Sequence, residues 1–258
     1  MMTYPVAVSV RLAILGLVTL ACAACTTTTA AATVPDAVEK PFEIVYQNDG
    51  LMWMCHASTM SYPRWQELKG LNAERFHREI DKYADCGVPS VSFGNWSVGN
   101  SFNRPTNVGR PFAAGIPDEK IAVKTHVQIK HDLAEYLSRG IDPLREVVDH
   151  AHRRGMTITV EFRMNNGAPG GTLENPSPAG PGYNGLLWYE KPEWRLTDPP
   201  ADPNAAGEPN PGWDYAKPEV REYYLQVIKE VLDNYDVDGI DLSFYQNPGF
   251  FNLAEPNK

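Results

Sequence analysis

Met156-Thr-Ile-Thr-Val-Glu-Phe-Arg-Met-Asn165 alternates without a break. Successive residues of a strand face opposite sides, so Ile158, Val160, Phe162 and Met164 point one way. Thr157, Thr159, Glu161, Arg163 and Asn165 point the other way. A helix is expected directly upstream. Asp142 is placed to cap it and Pro143 to occupy its first turn. Leu144, Val147, Val148 and Ala151 share one face of that helix, and Gly155 ends it. A helix leading into a half-polar strand is the unit from which the rest of the chain is read.

Similar units lie on both sides. Upstream, residues 41–46 form a short β-type run before Gln47-Asn-Asp-Gly50. Asn72 is expected to cap a helix that runs to about Cys86, with Phe76, Ile80 and Ala84 on one face and Gly87 as its stop. Residues 88–94 read as a strand with Val91 and Phe93 on one side and Ser90 and Ser92 on the other. An extra helix is expected near residues 127–138. Downstream, Pro218 opens a helix to about Asn234, with Val220, Tyr224, Val227, Ile228, Val231 and Leu232 as its apolar face. Tyr235-Asp-Val-Asp-Gly-Ile-Asp-Leu-Ser-Phe244 reads as a fourth strand.

Four strands separated by helices predict parallel βαβ units and an α/β fold. A doubly wound sheet is apolar on both strand faces, whereas here one whole face is polar. That pattern suits a (β/α)8 barrel of the TIM type, where one strand face meets the helices and the other lines the barrel. Function then sits at the C-terminal ends of the strands. An open sheet with a solvated edge strand is the alternative. No GxGxxG or P-loop follows any strand, so no nucleotide cofactor is expected.

The first 25 residues read as an address. Arg11 precedes the apolar run from Leu12 to Leu20, which is short for a membrane span and ends in Ala21-Cys-Ala-Ala-Cys25. Cleavage after Ala23 or Ala24, a lipid on Cys22 or Cys25, and a retained anchor all fit this pattern. Residues 26–41, rich in Thr and Ala, read as a tether. The protein is therefore expected to be exported, either attached to a membrane through an N-terminal lipid or released. The chain has 32 acidic and 23 basic residues, which argues against a nucleic-acid partner. Export makes a disulfide between Cys55 and Cys86 chemically accessible, and two buried thiols fit equally well. Those two cysteines form no CxxC pair and no HExxH occurs, so no metal is expected.

The 258 residues look sufficient for one barrel, which takes ~250. The pass along the chain changes that expectation. Only about the first four βα units fit within residues 42–258, and the sequence stops 14 residues past Phe244. Half a barrel leaves open sheet edges, which invite self-association.

The polar strand face supplies the candidate chemistry. Neighbouring strands lie ~4.8 Å apart, so Glu161 and Asp241 are expected to bring two carboxyl groups within roughly 5–9 Å, as glycoside hydrolysis requires. One carboxyl protonates the leaving oxygen and the other attacks or activates water. Arg163 beside them would favour an ionised carboxylate. Glu161 and Arg163 also fit a purely structural ion pair inside the barrel. Asn165, Trp96 and Asp49, at or beyond strand ends, are pocket-lining candidates, although Asp49 before Gly50 equally fits a turn. Asp238 before Gly239 reads as a turn residue. Residues 166–217 hold 10 of the 22 prolines together with Trp188, Tyr189, Trp194 and Trp213, and read as a long structureless loop. Trp188 and Trp213 could stack on sugar rings or pin that loop to the barrel.

Several motifs carry a resemblance. Gly140-Ile-Asp-Pro-Leu144, Ala151-His-Arg-Arg-Gly-Met156, Phe162-Arg-Met-Asn165, Tyr215-Ala-Lys-Pro-Glu-Val-Arg221, Tyr235-Asp-Val-Asp-Gly-Ile-Asp-Leu242 and Asn48-Asp-Gly50 occur in this order. Together, from about residue 42 to residue 251, they resemble the glycosyl hydrolase-like 10 family of bacterial glycosidase-like proteins. The resemblance implies a (β/α)8 barrel, export and carbohydrate as substrate. Two departures stand out. Relatives follow the fourth-strand motif with Leu-Asp-Phe-Phe-Arg-His-Pro, where this chain has Leu242-Ser-Phe-Tyr-Gln-Asn-Pro248, so Ser243 and Gln246 replace an acid and an arginine. Relatives also place Asp and His after Phe-Arg-Met-Asn, where this chain has Asn166-Gly-Ala168. The expected function is a glycoside hydrolase-like protein with Glu161 and Asp241 as the acid–base pair. The alternatives are a carbohydrate-binding protein without catalysis, favoured by Ser243 and Gln246, and an inactive fragment.

Overall fold

The computed structural model describes residues 44–48, 73–94, 101–164, 172–175, 180–196 and 212–244. In chain order, the first strands and helices are β1 (Val45–Asn48), α1 (Glu74–Asp85), β2 (Ser90–Gly94), β3 (Ser101–Phe102), β4 (Arg110–Pro111) and α2 (Lys124–Ser138). They continue with α3 (Pro143–Arg153), β5 (Thr157–Arg163), α4 (Gly180–Glu190), α5 (Pro218–Asn234) and β6 (Gly239–Ser243). One parallel sheet runs in the order β1-β2-β5-β6, and β3 pairs with β4 in a small second sheet. The α/β expectation with parallel strands is met.

Helix α3 starts where the sequence predicts. The Asp142 carboxylate accepts from the Leu144 and Arg145 backbone N–H groups, and Pro143 fills the first turn, where its missing donor costs nothing. The other Asp142 oxygen accepts from the Tyr235 hydroxyl at 2.7 Å, tying this start to the residue after α5. Gly155 closes the unit in the left-handed conformation, at φ 69°. The alternation of β5 then sorts its side chains. Ile158, Val160 and Phe162 are buried with Val91 and Phe93 of β2. Against this face pack Phe76 and Ile80 of α1, Leu144, Val147, Val148 and Ala151 of α3, and Val220, Tyr224, Val227 and Val231 of α5. Each such side chain contributes roughly 1.5–3 kcal/mol when it leaves water.

The opposite face is polar and concave. Ser92 Oγ donates to Asp241 Oδ2 at 2.9 Å, although β5 lies between their strands. In a flat sheet, second-neighbour strands are about 9.6 Å apart. A serine and an aspartate are too short to close that gap from a flat surface. The sheet therefore curls, with the Ser92, Glu161 and Asp241 side inward.

Several expectations change. β6 begins at Gly239 rather than Tyr235. Tyr235 is part of the core, and Asp238 does the joining. Its N–H donates to the Ile158 carbonyl, and its carboxylate accepts from the Ile158 N–H at 2.7 Å. On α5, Leu232 is 53% exposed rather than part of the inward stripe. It is one residue on from Val231, about 100° round the helix. The stretch 166–217 is not structureless, since it contains α4, a short 3-10 turn at Pro192–Trp194 and a bridge between Arg195 and Trp213. The expected Asn72 cap and the Cys55 partner of Cys86 lie outside the described residues.

The segment from β3 to β4 was legible only as a connection. Arg104, 0% exposed, donates from Nη1 to Glu230 Oε2 on α5 at 2.6 Å. Thr106 Oγ1 donates to the same oxygen, and the Asn107 and Val108 N–H groups donate to Glu230 Oε1. Burial alone would raise the Glu230 pKa. Thr106, the Asn107 N–H and Arg104 outweigh burial and hold it below the ordinary glutamate value.

Candidate active site

The register places Glu161 directly beside Asp241 on the neighbouring strand, and Arg163 beside Ser243. All four lie on the concave face. On the other side of Glu161, the partner in β2 is Gly94. The structure thus brings together four of the residues expected from sequence.

Glu161 is 0% exposed. Its Oε1 accepts from Gln47 Nε2 at 2.7 Å, and Arg163 Nε approaches Oε2 at 3.4 Å. Burial pushes the Glu161 pKa up, Arg163 and Ser243 pull against it without cancelling it, and the negative Asp241 adds to the rise. Ser243 Oγ lies close enough to favour the charged carboxylate, yet it closes no well-formed hydrogen bond. Asp241 is oriented by the Ser92 hydroxyl. The arrangement pairs a buried carboxyl whose pKa is raised by burial with a second carboxyl that accepts from a serine hydroxyl. Two carboxyl groups in different surroundings are the raw material of acid–base chemistry.

The raised pKa has a consequence for stability. The unfolded chain loses the Glu161 proton at lower pH than the folded one. Below the ordinary glutamate range Glu161 is neutral in both states, and its ionisation opposes folding as pH rises toward and through the folded value. Glu161→Gln should therefore melt at higher temperature than the wild type near neutral pH. That advantage should shrink to nothing as the pH falls below the ordinary glutamate range. Thermal melts of both proteins across the acid range check this.

Trp188 and Trp213 do not form a sugar platform. Trp213 is 1% exposed, and its indole meets Trp188 edge-on at 4.9 Å and Trp194 at 6.1 Å. The Arg195 guanidinium covers Trp188 at 4.7 Å and donates to its carbonyl. Side chains this deeply buried leave no open face for a sugar ring. These residues pack against one another and pin the loop instead, each indole burying a large apolar area. Asp49, Trp96, Asn165, Gln246, Cys22 and Cys25 lie outside the described residues.

Two polar partners, Gln47 and Ser92, were not singled out from sequence as site residues. Ser92 was legible as facing the polar side. Gln47 carried no signal, because its partner is two strands away. Among the described residues, no cluster of His, Cys, Asp or Glu could hold a metal, and no helix is long and apolar enough to cross a membrane.

Residues 123–252, half of the chain, match the family described as glycosyl hydrolase-like 10. The chain belongs to the glycosyl hydrolase-like 10 family. The matched region contains α2, α3, β5, α4, α5 and β6, so this glycosyl hydrolase-like core includes Glu161, Arg163, Asp241 and Ser243. No curated protein matches the chain. Among solved structures, a noncanonic maltogenic alpha-amylase from Thermotoga neapolitana aligns at 19% identity and TM-score 0.39, over 77% of this chain and 38% of its own. Alpha-L-fucosidase isoenzyme 2 from Paenibacillus thiaminolyticus aligns at 15% identity and TM-score 0.40, over 76% and 22%. An alpha-amylase from Lactobacillus plantarum aligns at 16% identity and TM-score 0.38, over 75% and 36%. The chain spans well under half the length of each of these structures.

Proposed function

We propose that the concave sheet face cleaves glycosidic bonds in an oligosaccharide or polysaccharide. The observation that carries this reading is the pairing of Glu161 and Asp241 at one register position, with Glu161 buried and biased toward its neutral form. Glu161 gives its proton to the glycosidic oxygen as the C–O bond breaks, and the bonding electrons leave with that oxygen. Asp241 either attacks the anomeric carbon, forming a glycosyl ester that water then hydrolyses with Glu161 taking the water's proton, or takes a proton from a water that attacks that carbon directly. Arg163 then balances the charge left on Glu161. The curvature of the sheet and the membership in a hydrolase-like family support its reading as four strands of a (β/α)8 barrel. The leader of residues 1–25 and the tether of residues 26–41 support export, with or without a lipid on Cys22 or Cys25.

The test uses chromogenic glycosides and a polysaccharide panel. Wild type should release reducing sugar, and Glu161→Gln and Asp241→Asn should each lose about 100-fold or more of that activity. Full activity in Glu161→Gln sinks the assignment. The rival reading is a carbohydrate-binding protein without catalysis. It rests on Ser243, which stands on the concave face where relatives are expected to carry an acid. Glycan binding by the wild type with no release of sugar would favour it.

A further inference from the structure

Gln47 reaches Glu161 across an intervening strand. Among the described residues β1 pairs with β2 alone, and β2 separates it from β5. Two small residues open the path. Gly94 stands level with Glu161 on β2, and Ser92 stands level with Gln47. Neither has a side chain that rises far above the concave face. The long glutamine side chain therefore passes over β2 from the sheet edge and ends at Glu161 Oε1, 2.7 Å away.

The chemistry of this contact is specific. The other groups around Glu161 are Arg163 from β5, Asp241 and Ser243 from β6, and Ser92 from β2 through Asp241. Arg163 and Asp241 are the charged members of that set. The amide of Gln47 does not titrate and always presents an N–H. Oε1 thus receives a hydrogen whether Glu161 is neutral or ionised. In the neutral acid, the oxygen that accepts the short bond from Gln47 is the carbonyl oxygen, and the hydroxyl falls on Oε2, whose contact with Arg163 Nε is long at 3.4 Å.

We propose that Gln47 is a positioning residue that clamps Glu161 through Oε1 and so keeps the transferable proton on Oε2. As a contribution to catalysis it rests on the hydrolytic reading above, whereas the clamp itself can be measured without any substrate.

A donor to a carboxylate favours its charged form, so removing the donor makes the acid harder to ionise. The full chain would be prepared with carboxyl-labelled glutamate, and the Glu161 resonance identified by its loss in Glu161→Gln. Its titration midpoint would be followed by NMR in wild type, Gln47→Met and Gln47→Asn. Methionine keeps the length and lacks the donor, while asparagine keeps the amide and stops short. Both variants should raise the midpoint by about one pH unit. An unchanged or lowered midpoint in both overturns the proposal, and loss of a purely structural contact would not move it. If the wild type hydrolyses a glycoside, Gln47→Met should shift the pH profile of kcat in the same direction with little change in KM. An inactive wild type would count against the hydrolytic reading alone, and the NMR midpoint would still decide the clamp.

Discussion

Glu230→Ala should lower the stability of the folded chain by about 3–5 kcal/mol, the cost of stranding a buried charge. Arg104 is completely buried, and among the described residues its Nε and Nη2 have no hydrogen-bond partner. There its Nη1 alone is satisfied, by Glu230 and by the Pro105 carbonyl at 2.9 Å. Removing the carboxylate leaves a guanidinium between the Phe102 and Tyr235 rings with a single carbonyl for company. It also removes the acceptor shared by Thr106, Asn107 and Val108. The double variant Arg104→Met, Glu230→Leu should recover much of the loss, because it deletes both charges together. Urea melts of the wild type, Arg104→Met, Glu230→Leu and the double variant measure the coupling, and additive losses would refute it. The pH dependence has a definite sign. Glu230 titrates below its ordinary value when folded, so its contribution is complete above the unfolded pKa and is lost as pH falls through the folded one. Wild type and Glu230→Ala should therefore converge in strong acid.

Trp213→Ala should cost about 3–5 kcal/mol, the range for emptying a buried aromatic site. Trp213 is wedged between Trp188 and Trp194, and its backbone forms the bridge to Arg195. Its neighbours hold the same clasp, with Leu196 N–H donating to the Gly212 carbonyl and Asp214 N–H to the Trp194 carbonyl. The cavity would sit where the two ends of the loop between Leu196 and Gly212 are clasped together. Trp213→Phe should cost distinctly less, since a smaller ring still fills part of the space. Denaturation followed by tryptophan fluorescence provides the number. Because the indole is enclosed, Trp213→Phe should leave any glycan affinity unchanged, and a large loss of affinity would restore the platform reading.

The parts of the fold that repeat a period were legible in the sequence. β5 announced itself by strict alternation, and α3 by Asp142 and Pro143 at its start. Helix α5 was placed from Pro218 to Asn234, although its outer turn misled. Leu232 is as apolar as Val231, and composition cannot say which side of a helix has a neighbour. The Glu161–Asp241 pair was legible because both sit at fixed positions on parallel strands. Gln47 was not, because its role depends on the emptiness of Gly94 and on the curl of the sheet. Arg104 lies in a polar segment without periodicity, and its partner is 126 residues away. Trp213 shows the limit of composition: an indole suits a binding face or a packed joint equally well, and only its neighbours decide between them.

That distance between Arg104 and Glu230 also sets an order of assembly. A ribosome adding 5–20 residues per second takes roughly 6–25 s to make the intervening chain. Through that interval β1, β2 and β5 can pair in the order of their synthesis, while the arginine stays in water. Helix α5 then delivers Glu230, and β6 follows directly with Asp241. The fastening of the lateral segment and the second carboxylate of the site reach the growing protein almost together.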